Sequence, residues 1–118
     1  MSEYQNQARP KPRPNAQTHV HEFVGSVMVA EGVEPHTHRF AGVTSEVIPL
    51  PCGGHKHALY TNTDFYEKHY HEVAAETGPA ICVGDGRHIH YVNATTTLNA
   101  GHTHDFIFAT LIENPIGD

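Results

Sequence analysis

"PHTHRF" at residues 35–40 places His36 and His38 two positions apart, with the aromatic Phe40 two further on. The same form occurs in "THVHEF" (18–23) and "GHTHDF" (101–106), and looser versions are "HKHAL" (55–59), "HYHEV" (69–73) and "HIHYV" (88–92). These six His-x-His pairs use all twelve histidines of the 118-residue chain. A shuffled chain of this composition would carry about one such pair. The pairing is therefore a physical constraint, and the first question is which backbone conformation makes it useful. In a strand, residues i and i+2 share a face about 6.5–7 Å apart. In a helix they point about 200° apart and cannot serve one ligand. The middle residues Val20, Thr37, Tyr70, Ile89 and Thr103 are strand formers, with Lys56 the exception. The alternation continues outward to Phe23, Val92, Phe106 and Phe108. This reading predicts an all-β fold with the histidines and the following apolar residue on one inward face.

The pairs also set a repeat. Their first histidines fall at 19, 36, 55, 69, 88 and 102. Alternate pairs at 36, 69 and 102 are spaced by 33, whereas 19, 55 and 88 place three extra residues in the first unit, near "VAEGVEP". Three hairpin-like repeats are expected, at 19–54, 55–87 and 88–118. Ahead of them, "MSEYQNQARPKPRPNAQ" (1–17) has no apolar periodicity and alternates Pro10, Pro12 and Pro14. Such a segment favours extended or disordered chain and builds no core. It is read as an arm, either a solvated tail or a connector that orders on a neighbouring subunit.

Composition narrows the function classes. The formal net charge is −6, from 7 basic and 13 acidic residues, so nucleic acid is not an expected partner. No apolar run reaches the ~20 residues needed to span a bilayer, and the N-terminus lacks a signal-peptide apolar core. Cytoplasmic synthesis is expected, with a surface or extracellular assembly as one destination. Cys52 and Cys82 are too few for a disulfide scaffold and have no CxxC spacing. Their plain reading is as small buried hydrophobes, and the alternative is a cross-link between repeats or subunits.

An inward face of histidine is unfavourable unless something uses the rings. Each neutral imidazole needs a hydrogen-bond partner, and each protonated one brings a charge. A transition-metal ion resolves both by taking the ring lone pair. The candidate ligands are His19, His21, His36, His38, His55, His57, His69, His71, His88, His90, His102 and His104. Zinc or iron is the expected metal, and nickel and copper accept the same donors. Three pairs offer six nitrogens, enough for octahedral coordination. One chain can gather its first pairs in one site and its second pairs in another. Three chains can each give the same pair on the axis of a trimer. The two pairs of one repeat can also meet as a four-histidine site. Spacing alone leaves these open.

The repeated "HTHRF" and "HTHDF" words, and their spread over nearly the whole chain from Thr18, resemble the YmaF family of small bacterial proteins, which is defined by His-x-His repeats. That resemblance implies the repeat and no particular activity. A looser similarity is to trimeric phage tail-fibre tips, where such pairs from three intertwined chains hold iron or zinc along the axis. The 33-residue repeat here suggests hairpins instead. Cupins follow their His-x-His pair by Glu three or four residues later. Here Glu46 and Glu113 lie too far beyond His38 and His104, and Glu22 and Glu72 follow their pairs directly. Amidohydrolases need a barrel of about 250 residues. No enzyme is expected. The expectation is a transition-metal-binding structural protein whose ions staple a self-associating β assembly, a trimer or filament within a fibre, appendage or phage-like particle. The alternative is a soluble metal sequestration or delivery protein.

Overall fold

A computed structural model describes residues 17–116, and the arm expected at 1–17 lies, except for Gln17, outside the described residues. The described chain is all-β, with nine strands: β1 (Glu22–Ser26), β2 (Arg39–Val43), β3 (Ile48–Pro49), β4 (His55–Lys56), β5 (Ala58–Asn62), β6 (Glu72–Glu76), β7 (Ala80–Gly84), β8 (Arg87–Thr95) and β9 (Asp105–Ala109). Three antiparallel pairings of equal length form the body. In β1–β2, Glu22 faces Val43; in β5–β6, Ala58 faces Glu76; in β8–β9, Tyr91 faces Ala109. Two further ladders, β3–β4 and β7 with the first half of β8, sit between them in the chain.

Alternation decides which face is inward. Phe23, Phe40, Leu59, Val73, Val92 and Phe106, one from each strand of the three pairings, are buried together with Val27. Each of the six lies two residues past the second histidine of a pair. Large residues face small ones across each ladder: Phe23 opposes Gly42, Phe40 opposes Gly25, and Phe106 opposes Ala94. The glycines are required here, because a Cβ on Gly25 would lie 2.6 Å from Phe40 Cζ and one on Gly42 2.8 Å from Phe23 Cζ. The ring of Phe108 stacks on Phe23 at 5.5 Å and carries the aromatic cluster across to β9.

The three pairings close on one another in a ring. Ser45 N–H donates to Ala58 O, Gly78 N–H to Tyr91 O, and Leu111 N–H to Glu22 O, so the last pairing returns to the first. A second set, Asp64 N–H to Arg39 O, Thr97 N–H to Glu72 O and Met28 N–H to Asp105 O, repeats the closure at the other end. Closure removes most free strand edges. The expectation of buried cysteines is not met: Cys52 and Cys82 are both free and exposed. Cys52 sits in the turn between β3 and β4, and Cys82 on β7, all five of whose residues are exposed. Neither position lies on the inward face, which is filled by the residues that follow the histidines. Among the described residues no helix is long and apolar enough to cross a membrane.

Candidate metal centres

Every His-x-His pair stands just ahead of a ladder. His21, His57 and His90 immediately precede the segments of β1, β5 and β8 that enter the three body pairings; His38, His71 and His104 precede β2, β6 and β9. Antiparallel strands begin at opposite ends of a pairing, so the first pairs gather at one end of the closed body and the second pairs at the other. The result is two clusters of six, His19, His21, His55, His57, His88 and His90 in the first, His36, His38, His69, His71, His102 and His104 in the second. In each, the six candidate ligand nitrogens lie within 4.8 Å of one another. All twelve candidates are thus brought together, with the first pairs separate from the second. Only His55, His88 and His90 lie within strands, although strand conformation was expected for all the pairs. The others extend their strand past the end of its regular ladder.

Threonine explains that extension, and the sequence reading did not single it out. His21 accepts from Thr44 N–H at 2.9 Å, as a ladder partner would, but its own N–H donates to Thr44 Oγ1 at 3.1 Å. Thr77 does the same for His57 and Thr110 for His90. Thr63 serves His71 and Thr96 serves His104. A hydroxyl in place of a carbonyl ends the ladder while leaving the buried histidine amide satisfied. Val27 takes the sixth position, its N–H donating to His38 O at 3.0 Å. The spacing of 33 residues between Thr44, Thr77 and Thr110, and between Thr63 and Thr96, was the available signal.

The residue after each of these positions fixes a ring. His57 Nδ1–H donates to Ser45 O, His90 to Gly78 O and His21 to Leu111 O, each at 2.8 Å. At the other end His38 donates to Asp64 O, His71 to Thr97 O and His104 to Met28 O, at 2.8–3.0 Å. The outer rings of the second cluster use carbonyls two residues back: His36 to Glu34, His69 to Glu67 and His102 to Ala100. A carbonyl only accepts, so the single proton of each neutral ring is held on Nδ1 and Nε2 is left with a bare lone pair.

Those lone pairs converge. In the second cluster Nε2 of His38 and His69 are 3.1 Å apart, and His102 Nε2 is 3.2 Å from both His71 and His36. With every proton on Nδ1, these contacts hold no hydrogen between them. The Nε2 atoms of His57, His90 and His104 are likewise buried without a hydrogen-bond partner. Juxtaposed lone pairs repel unless a cation lies among them, and six of them suit one ion. An octahedron with edges of 3.1–3.2 Å has a centre-to-corner distance of about 2.2 Å and a diagonal of about 4.4 Å, close to metal–imidazole lengths and inside the observed spread. The donor set and its geometry therefore fit a six-coordinate transition-metal ion in each cluster, and each set of six comes from a single chain.

The electrostatics favour the neutral rings that a metal needs. His19, His21 and His71 are lowered to about 4, and His38, His55, His57, His90 and His104 are lowered too. Burial is the largest cause at each, and neighbouring imidazoles add to it. The carbonyl bonds to the inner rings act in the opposite direction without prevailing.

One carboxylate enters the first cluster from an unexpected place. Glu113, with a side chain only 10% exposed, accepts from His88 N–H through Oε1 at 3.0 Å and faces His88 Nδ1 with Oε2 at 3.2 Å. Burial pushes its carboxyl up, but the His88 amide and the surrounding imidazoles more than offset this and hold it below the usual range. Arg87 ties down the same segment, donating to Asn114 O at 2.6 Å.

Comparison with known proteins agrees with this architecture in one respect. No curated protein and no solved structure matches the chain. A family model, YmaF, described as spore germination protein GerY/YamF, matches residues 16–112, which span both histidine clusters and all nine strands. The chain belongs to the YmaF family.

Proposed function

We propose that the protein binds one divalent transition-metal ion in each histidine cluster, and that the two ions act as structural staples at the ends of a closed β body. The observation that carries this reading is the convergence of Nε2 lone pairs whose rings are held by Nδ1–H bonds to backbone carbonyls. Six imidazoles saturate an octahedral ion and leave no position for substrate or water, which favours a structural role over catalysis. The core is small, with seven buried apolar residues among the described ones, so cross-linking through metal would add materially to its stability. The matching family is described as a spore germination protein, and that process is the setting in which such a body would act. Zinc and iron are the first candidates. Association into a filament or appendage, with the 1–17 arm on a neighbour, belongs to the same proposal; it would use surfaces away from the ions.

The test is metal analysis of the purified full chain joined to X-ray absorption at the metal edge. Two ions per chain with six nitrogen neighbours at about 2.2 Å are expected. Less than one tightly held ion per chain after metal-replete purification would sink the reading. One observation favours a second reading, reversible sequestration: a cavity of about 290 Å³, lined by Glu34, His36, Tyr66, Glu67, His69 and His102, opens onto the second cluster. Thermal melting separates the two. A store keeps its melting temperature when a chelator strips it, and a stapled body loses much of its stability.

A further inference from the structure

Nine of the twelve rings donate Nδ1–H to a backbone carbonyl. His88 differs: the group facing its Nδ1 is the buried carboxylate of Glu113, whose Oε2 lies 3.2 Å away as a close polar contact while Oε1 accepts from the His88 backbone N–H. Asp64 also approaches a ring, 3.4 Å from His38 Nδ1, but its side chain is 58% exposed and the primary acceptor there is its own carbonyl. His88 is moreover the centre of the first cluster's closest contacts, with its Nε2 3.1–3.2 Å from those of His19, His21 and His55. His19 and His55 have no Nδ1 partner among the described residues, so the proton position on His88 matters for three converging pairs.

We propose that Glu113 is a positioning residue of the first metal centre: it favours the His88 proton on Nδ1, turns the Nε2 lone pair to the ion, and supplies a buried negative charge where the second centre has only the exposed Asp64 carboxylate. The inference rests on the metal-binding reading of the clusters. A carboxylate facing the Nδ1 side of a ligand imidazole favours the proton there and raises the ring's basicity, and losing such an outer partner commonly weakens metal affinity about 10–100-fold. Each centre has one carboxylate near a ring Nδ1, but Glu113 is buried at 10% exposure and acts on the first ion with little solvent screening, whereas Asp64 at the second is 58% exposed and screened. The two centres are therefore unequal although their ligand sets are the same.

Glu113→Gln is a sharp test because it preserves shape. The amide oxygen can still accept from the His88 backbone N–H, but an NH₂ then faces Nδ1 and disfavours a proton there. The full chain, wild type and variant, would be loaded with Zn²⁺ and titrated with a competing chelator, with occupancy of each centre read from its imidazole resonances. The variant is expected to weaken the first centre about 10–100-fold and leave the second unchanged. In zinc-loaded wild type, nitrogen-15 shifts should show the His88 proton on Nδ1. Equal weakening at both centres would mark Glu113 as a general structural residue, and no weakening at the first would remove its role; either result overturns the proposal. A wild-type chain that holds no zinc overturns the metal reading itself, which the wild-type titration shows before any variant is compared.

Discussion

Acidification of the metal-loaded chain is the perturbation with the most calculable outcome. His21 and His71 are both fully buried, and they lie in different clusters, so their titrations do not couple directly. Both are lowered from 6.5 to about 4 by burial and by neighbouring imidazoles, before any metal is considered. A bound ion requires the neutral ring and can only lower them further. The folded pKa is below the unfolded one, so the unfolded chain takes up protons first. The stability these rings contribute is fully present above about 6.5 and is lost as pH falls toward 4. At about 1.4 kcal/mol per pH unit for each ring, the pair removes about 5 kcal/mol by pH ~4.5. That equals the whole stability of a marginal domain, and it is a floor, since six other histidines shift the same way. Urea unfolding at steps between pH ~7.5 and ~4.5, with released metal measured alongside, should show a slope of at least ~3 kcal/mol per pH unit below pH ~5.5. A change of less than ~1 kcal/mol across that range would refute the claim that neutral, buried rings face the centres.

Three further outcomes concern the frame that holds the rings. Phe106→Ala, at a fully buried position between the clusters, should lower stability by about 3–5 kcal/mol in urea unfolding without changing the number of ions bound at neutral pH. Gly42→Ala places a methyl 2.8 Å from the Phe23 ring and should cost about 1–3 kcal/mol, measured by the same assay; a neutral result would mean the aromatic cluster is looser than its geometry. Thr96→Val removes the hydroxyl that accepts from the buried His104 N–H and should cost about 1–3 kcal/mol. It should also speed chelator-driven metal loss from the second centre, with loss from the first unchanged.

The all-β class and the twelve histidines that gather into clusters were legible because both rest on period-two spacing, which is local. The apolar residue two past each pair, such as Phe40 after His38 or Val92 after His90, was legible for the same reason and proved to be the core. The partition of the histidines between two clusters was not. Three geometries satisfied the spacing, and what separates them is strand direction: a pair that precedes β1 and a pair that precedes β2 must lie at opposite ends of an antiparallel ladder. The remaining features depend on contacts that no local pattern encodes. Leu111 O holds His21 across 90 residues, and that bond exists only because the third pairing closes on the first. Glu113 was set aside because it stands too far beyond His104 to join that pair, yet its work is on His88, 25 residues before it. Distance along the chain excluded the wrong histidine. In a closed ring of pairings, the segment that follows the last strand returns to the end where the first pairs stand, so a carboxylate there belongs to the first centre however close in sequence it lies to the second.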